Sequence, residues 1–245
     1  MLGRTYAGQA ARRPDMGRAS MVRHDGRRAA LAFLIVSLLM TLVTPLHAQG
    51  SKEPGKDRPL NLVALGDSLT AGYGLPAAAA FPLQLEAALK ARGHAVTVAN
   101  AGVSGDTATG GLDRVDWSVP DGTDGVILEL GANDMLRGTD PAVTEKALDA
   151  IVARLKARGI PVLLAGMRAA PNLGTDYGKR FDAIYPRLAE RYGLILYPFF
   201  LDGVAGDRSL TLPDGLHPTK DGVATIVAGI LPRVEEFLTR LRKGP

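Results

Sequence analysis

Two short segments, far apart in the sequence, contain the side chains that nucleophilic acyl transfer requires. Residues 66–69 are Gly-Asp-Ser-Leu, and residues 214–217 are Asp-Gly-Leu-His. The three-residue spacing lets the carboxylate of Asp214 accept a hydrogen bond from Nδ1–H of His217, which turns Nε2 toward an incoming hydroxyl. The sequence therefore predicts a catalytic triad in which Ser68 is the nucleophile, His217 the general base and Asp214 the residue that orients the base.

Histidine is the residue type best suited to general-base work at neutral pH, and the chain has four of them. His24 and His47 lie in an N-terminal segment that we expect to be removed. His94 lies in a bend between a predicted helix and a predicted strand, where we expect it to face solvent. This leaves His217 as the base. The alternative hypothesis is structural, with Asp214 in a Pro-Asp-Gly turn and His217 next to the start of the terminal helix.

Three N–H groups are candidates for stabilising the oxyanion of such a reaction: the backbone amides of Ser68 and Gly105, and the side-chain amide of Asn133. Backbone N–H groups at a strand-to-helix turn point outward without intrahelical partners, and glycine permits close approach of a substrate. A neutral amide suits a charge that exists only in the transition state. Each group also has a simpler alternative: a Gly-Asp-Ser turn, an ordinary loop glycine, or an Asx turn of Asn133 with Asp134.

The sequence between these motifs alternates between short apolar runs and longer amphipathic stretches. The runs predict buried strands at residues 60–65, 95–99, 126–130, 162–165 and 194–198. The longer stretches predict helices at residues 82–92, 141–158, 177–192 and 220–241. This alternation predicts right-handed βαβ units and an α/β fold, a three-layer α/β/α sandwich around a five-stranded parallel sheet.

Three of the polar motifs directly follow predicted strands. Ser68 follows the first strand, Gly105 lies in the loop after the second, and Asn133 follows the third. In an open parallel sheet, ligands bind in the crevice outside the carboxyl ends of the strands. We therefore expect the three loops to bring their polar groups to the same edge of the sheet.

The N-terminal segment has the pattern of an export signal. Arginines at 23, 27 and 28 precede an apolar run over residues 29–43, and a possible cleavage site ends at Ala48. A run of this length is short for a membrane span, which needs roughly 20 residues, so we expect cleavage; an uncleaved anchor is the alternative. We thus predict a signal peptide at 1–48, a Pro- and Gly-rich linker at 49–59, one domain at 60–245, and a periplasmic or secreted location.

Charge and composition exclude several functions. The formal charge is +4, but seven Arg and two Asp precede Ala48; without them 22 basic and 23 acidic residues remain. This balance gives no electrostatic basis for binding nucleic acid. The chain has no Cys, which excludes disulfides and a thiolate nucleophile. We expect no metal, no stable membrane insertion after signal cleavage, and a monomer.

Taken together, these motifs resemble those of the SGNH (GDSL) hydrolase family. The matching stretches are residues 65–74, 104–107, 131–134 and 214–218, and the resemblance covers residues 60–241. It implies a flavodoxin-like fold, no cofactor, nucleophile Ser68, oxyanion donors Ser68, Gly105 and Asn133, orienting Asp214 and base His217. Residues 129–130, 134–138 and 181–186 are similar to a periplasmic branch with arylesterase, acyl-CoA thioesterase and lysophospholipase activities.

The residues around the motifs indicate an ester or thioester substrate of small size. Apolar residues near the site, Leu75, Pro76 and Leu136 among them, suit an acyl chain or an aromatic leaving group, and Arg137 and Arg168 are candidates to meet an anionic head group. The alternatives are that the apolar side chains only cover the core and that the two arginines are solvated surface charges. Two further functions stay open from the sequence: a carbohydrate O-acetylesterase of the same family, and a secreted binding domain without turnover.

Overall fold

The computed structural model of the chain describes residues 58–244. The predicted signal peptide at 1–48 and most of the predicted linker, residues 49–57, lie outside the described residues, as does Pro245. Export and cleavage therefore stay predictions. Within the described range, no helix combines the length and the apolar character that crossing a membrane requires.

Five parallel strands form a single sheet, as the alternating pattern predicts. The strands are β1 (Leu60–Gly66), β2 (Val96–Gly102), β3 (Gly125–Glu129), β4 (Val162–Ala165) and β5 (Ile195–Tyr197). Their order is β2-β1-β3-β4-β5, and all pairs are parallel. This is the strand order of flavodoxin-like sheets, in which β2 is added on one side of β1 and the later strands on the other, so that a crevice opens between the carboxyl ends of β1 and β3.

Helices cover both faces of the sheet. They are α1 (Ser68–Ala71), α2 (Phe81–Ala91), α3 (Ala108–Ser118), α4 (Ala132–Leu136), α5 (Pro141–Ala157), α6 (Thr175–Asp182), α7 (Ile184–Tyr192) and α8 (Lys220–Lys243). Two 3₁₀ turns lie at Ala77–Ala79 and Pro171–Leu173. Helix α2 packs with α8, and α3 packs with α5. Because both faces are covered, β3 and β4 are buried along their whole length, and the three-layer α/β/α prediction is confirmed.

The predicted helix at 177–192 is wrong in one respect: it is two helices, α6 and α7, which meet at Ala183. Pro186 explains the break. Its nitrogen has no hydrogen to donate to the carbonyl of Asp182, and its ring would clash with that carbonyl in a continuous helix. The chain therefore ends one helix at Asp182 and begins the next at Ile184.

Helix α3 was not predicted by the periodicity of the sequence. It contains Gly110 and Gly111, which favour the unfolded chain over a helix. Gly111 has a packing reason, since a Cβ there would lie 2.3 Å from Leu130 Cδ1. The sequence does contain a start signal: Thr107 is the N-cap, and its side chain accepts a hydrogen bond from Gly110 N.

The turn that carries Ser68 is held against the end of β2. A Cβ on Gly102 would lie 2.2 Å from Ala71 N and 2.6 Å from its Cα, so only glycine permits this close approach of β2 and α1. The backbone of α1 therefore lies directly against the sheet edge.

We expect Gly102→Ala to destabilise the fold by about 2–3 kcal/mol, because the new methyl group overlaps backbone atoms that cannot move aside. Urea unfolding followed by circular dichroism measures the change. Gly178→Ala, within α6, is the matched control. The new Cβ would meet only Ala169 Cβ, at 3.9 Å, so this variant should be as stable as wild type or more stable by about 0.5–1 kcal/mol. Equal stabilities of the two variants would contradict this account.

Candidate active site

The structure brings Ser68, His217 and Asp214 into one hydrogen-bonded chain. Ser68 Oγ lies 2.9 Å from His217 Nε2, and His217 Nδ1 lies 2.7 Å from Asp214 Oδ2. Because the carboxylate accepts from Nδ1–H, Nε2 is free of hydrogen and accepts from the serine hydroxyl. Ser68 is nearly buried, with 8% of its surface exposed. The two segments that carry these groups are 149 residues apart in the sequence.

The other oxygen of Asp214 fixes the loop itself. Asp214 Oδ1 accepts hydrogen bonds from the backbone N–H of Leu216 at 2.9 Å and of His217 at 3.0 Å. These bonds, together with that from the imidazole, lower the pKa of Asp214 to about 2. The carboxylate therefore stays ionised at every pH at which an imidazole base operates, and it is always ready to stabilise an imidazolium.

An aromatic ring flanks the imidazole. The ring of Tyr73 lies with its centroid 4.4 Å from that of His217, tilted by 36°. Sequence reasoning did not single out Tyr73, because a tyrosine in a Gly-rich turn carries no chemical signal. This ring contact limits how far the imidazole of His217 can rotate away from Ser68.

The three predicted oxyanion donors come from loops that contact one another. Asn133 Nδ2 donates to Asp106 O at 2.9 Å and to Asp67 Oδ2 at 3.3 Å, so it joins the loop of Gly105 to the turn of Ser68. Gly105 has φ +87°, a left-handed conformation that favours glycine, and open space lies where its Cβ would be. The role of these groups as oxyanion donors stays a prediction.

Asp134 does not serve an Asx turn with Asn133, the simpler alternative for that pair. Its Oδ2 accepts from Ala108 N at 2.8 Å and its Oδ1 accepts from Thr144 Oγ1 at 3.1 Å. The buried carboxylate thus ties α4 to the start of α3 and to α5, which holds Asn133 in place from behind.

The predicted substrate-binding residues lie in varied surroundings. Leu75 is half-buried and packs against the core, whereas Pro76 and Leu136 are exposed. Arg168 is exposed, and its guanidinium lies 5.1 Å from the ring centroid of Phe199. Their role in binding substrate stays a prediction.

His94 does not face solvent as expected. It is half-buried, and its Nε2 lies 3.1 Å from Glu235 Oε1 on α8. It precedes β2, so it lies at the amino end of the strands, opposite the edge that carries Ser68. This corrected position of His94 leaves unchanged the prediction that His217 is the general base. Among residues 58–244, no three His, Asp or Glu side chains are grouped so that they could hold a metal ion.

Sequence reasoning missed the buried acid next to the serine. Asp67 is fully buried, and its Oδ1 accepts from Leu69 N at 3.0 Å and so caps α1. Burial raises the pKa of Asp67 to about 6, although the hydrogen bonds from Leu69 and from Asn133 oppose the rise. The Gly-Asp-Ser turn chemistry was a signal for the cap but not for burial.

A single buried guanidinium also escaped sequence reasoning, because arginine is usually exposed. Arg114, on α3, donates from Nε to Asp106 Oδ2 at 2.5 Å and from Nη2 to Gly66 O at 2.8 Å. Its Nη1 donates to Ala101 O at 2.8 Å and to Ser118 Oγ at 3.0 Å. One side chain therefore joins the ends of β1 and β2 to the loop that Asn133 contacts.

We expect Arg114→Lys to lower the free energy of unfolding by about 3 kcal/mol, because one ammonium cannot bond all of these separated acceptors and several buried hydrogen bonds are lost, among them the charged bond to Asp106. Urea unfolding measures the loss. Arg154→Lys is the control. Arg154 pairs with Asp116 on the surface, so this variant should lower the free energy of unfolding by no more than about 0.5 kcal/mol. A loss for Arg114→Lys no larger than that of the control would contradict the cross-link.

The sequence of the chain is similar to those of known proteins. Residues 64–224 match the model of the GDSL-like lipase/acylhydrolase family. The arylesterase of Vibrio mimicus is 42% identical over 158 residues, which cover 64% of this chain and 79% of that protein. Thioesterase 1/protease 1/lysophospholipase L1 of Escherichia coli K12 is 39% identical over 161 residues, covering 65% of this chain and 76% of that protein.

Solved structures agree with the sequence relatives. The crystal structure of AlinE4, an SGNH-hydrolase family esterase, is 45% identical in sequence and superposes with a TM-score of 0.63, covering 74% of this chain and 97% of AlinE4. The chain belongs to the GDSL-like lipase/acylhydrolase family, the SGNH hydrolases.

Proposed function

We propose that the chain is a serine hydrolase that cleaves carboxylic esters of aryl or acyl groups, and thioesters, through an acyl-enzyme on Ser68. The observation that carries this proposal is the unbroken hydrogen-bonded chain from Ser68 Oγ through the imidazole of His217 to Asp214. The names of the relatives, an arylesterase and a thioesterase/lysophospholipase, support esters and thioesters as the substrate class.

In the first step, His217 Nε2 takes the proton of Ser68 Oγ as that oxygen attacks the carbonyl carbon. Asp214 stabilises the imidazolium that forms. The tetrahedral intermediate then collapses, His217 returns the proton to the leaving oxygen or sulfur, and the acyl group stays on Ser68. Water attacks the acyl-enzyme by the same route, with His217 as the base again.

The negative oxygen of each tetrahedral intermediate is stabilised by N–H groups of Ser68, Gly105 and Asn133. Asn133 has a short bond to Asp106 O and a longer one, 3.3 Å, to Asp67 Oδ2. We expect the oxyanion to replace the longer bond, since that bond is the weaker of the two. The shorter bond keeps the amide aimed while this exchange takes place.

A fluorophosphonate should label wild-type protein at one site per chain and should not label Ser68→Ala, because only an activated serine attacks the reagent. Hydrolysis of p-nitrophenyl butyrate by that variant should fall by about 10⁴-fold or more. Ser104→Ala, which removes an exposed hydroxyl next to Gly105, is the control and should be labelled like wild type. The intact mass of the protein reports the labelling. If Ser68→Ala is still labelled, the proposal is wrong.

Asn133→Ala should lower kcat by about 10²–10³-fold with a smaller change in KM, because the lost donor acts on a charge that is present only in the transition state. Steady-state kinetics with the same ester measures both constants. Asn61→Ala, at the beginning of β1 and far from the site, is the control and should match wild type. A kcat for Asn133→Ala within threefold of wild type would remove Asn133 from the oxyanion site.

A further inference from the structure

Glu129, the last residue of β3, is a buried acid that the proposed reaction does not use. Its side chain is essentially inaccessible, with 1% of the residue exposed. Oε2 accepts hydrogen bonds from Thr70 Oγ1 at 2.7 Å and from Asp67 N at 3.4 Å. Oε1 has no hydrogen-bond partner among residues 58–244. The carboxyl group therefore lies directly under the turn that carries Ser68 and is only half satisfied.

The surroundings of Glu129 disfavour a negative charge. The nearby guanidinium of Arg114 is committed to Asp106 and to backbone carbonyls, and no ion pair joins Glu129 to a cation in the described part of the chain. Burying an ionised carboxylate without a cation is costly, whereas a neutral acid with one unpaired oxygen costs far less. Burial, and then the adjacent carboxyl of Asp67, raise the pKa of Glu129 well above its usual range.

The other polar groups that face Glu129 do not supply a positive charge. Asp67 and Thr70 approach from the turn of Ser68. From α7 comes Tyr185, whose hydroxyl donates to Leu130 O at 2.9 Å, and burial together with Glu129 raises the pKa of this tyrosine. Asp134, from α4, adds a further acid to the cluster. None of these groups offers Glu129 a positive charge, and the carboxyl of Asp67 favours its protonated form.

We propose that Glu129 is a positioning residue that acts as a neutral carboxylic acid: it holds the turn of Ser68 through Thr70 and leaves Asp67 as the charged member of the Asp67–Glu129 pair. Asp67 then accepts from Leu69 N and from Asn133 Nδ2. Two acids this close share a single negative charge at neutral pH.

Ionisation of Glu129 opposes catalysis for two reasons. A second negative charge beside Asp67 repels it, which disturbs the cap that Asp67 provides for α1 and thereby the turn of Ser68. The same charge lies on the side of the site where the oxyanion develops, so it raises the energy of the transition state. Activity therefore falls at alkaline pH as the proton leaves Glu129. The activity part of this inference rests on the proposed function; the protonation state does not.

Glu129→Gln tests the neutral acid, because an amide has the same shape and never ionises. We expect its kcat at pH 7 to stay within threefold of wild type and its alkaline fall to move upward by at least one pH unit. Glu145→Gln, whose glutamate pairs with Arg187 on the surface, is the control and should keep the wild-type pH profile. A tenfold loss at pH 7, an unchanged alkaline fall, or a variant that does not fold would each overturn the proposal.

Infrared difference spectroscopy reads the proton directly. Wild-type protein at pH 7.5 should have the C=O stretching band of a protonated carboxyl group, and Glu129→Gln should lack it. Without that band in wild type the neutral-acid proposal is wrong, whatever the esterase activity is. A band that Glu129→Gln removes, in a chain that hydrolyses no ester, would uphold the protonation state and refute the proposed function instead.

The positioning role has its own readout in Thr70. Thr70→Val removes the hydroxyl at nearly constant shape, and we expect kcat to fall at least fivefold with KM unchanged. The separate variant Thr70→Ser keeps the hydroxyl and should have the kcat of wild type. A purely structural methyl contact would give the opposite order, with Thr70→Val more active than Thr70→Ser, and that result would overturn the role of the Thr70–Glu129 bond.

Discussion

The guanidinium of Arg114 is buried at the point where the first two strands end and the polar loops begin. Its hydrogen bonds to Gly66 O, Ala101 O and Asp106 join three segments through one side chain. They add to the backbone contact between the first two segments, in which Val103 N donates to Gly66 O at 3.0 Å. A carbonyl oxygen has two lone pairs and can accept both bonds. The planar guanidinium can bond all three segments because it presents several donors at fixed angles.

Around that one cation lies a group of acids whose charges must be limited. Asp106 is paired with Arg114, and Asp134 accepts from a helix N-terminus and from a hydroxyl. Asp67 accepts two N–H groups, and Glu129 accepts a hydroxyl and one long bond from an amide. Within the described residues 58–244, neither Asp67 nor Glu129 is paired with a cation, and burial raises the pKa of Asp67 to about 6 and that of Glu129 well above its usual range. A permanent negative charge on Glu129, beside that of Asp67, would oppose the negative charge that develops on the oxyanion in the transition state.

Much of this arrangement follows from local sequence and much does not. The five strands are apolar runs bounded by polar loops, so periodicity alone predicts them; the register that aligns Gly66 with Gly102 and Glu129 is a property of the assembled sheet. The Asp214–His217 pair is predictable because its members are only three positions apart in the sequence. Arg114 and Glu129 are not, since a charged residue within an amphipathic or apolar stretch has no local mark of burial. Pro186, by contrast, is a local signal for the break between α6 and α7, although the prediction of one helix at 177–192 did not use it.

The two halves of the triad are positioned by different means. The loop of His217 holds itself: Leu212 N donates to His217 O at 2.7 Å, Thr211 bridges Pro218, and Asp214 accepts two amides of its own loop. The turn of Ser68 has no such autonomy, because four residues of helix are too few to be stable alone. It depends on Gly102 beneath it, Asp67 at its cap and Glu129 under Thr70. The distance between Ser68 and His217 is thus set by a self-contained loop on one side and by the buried sheet edge on the other.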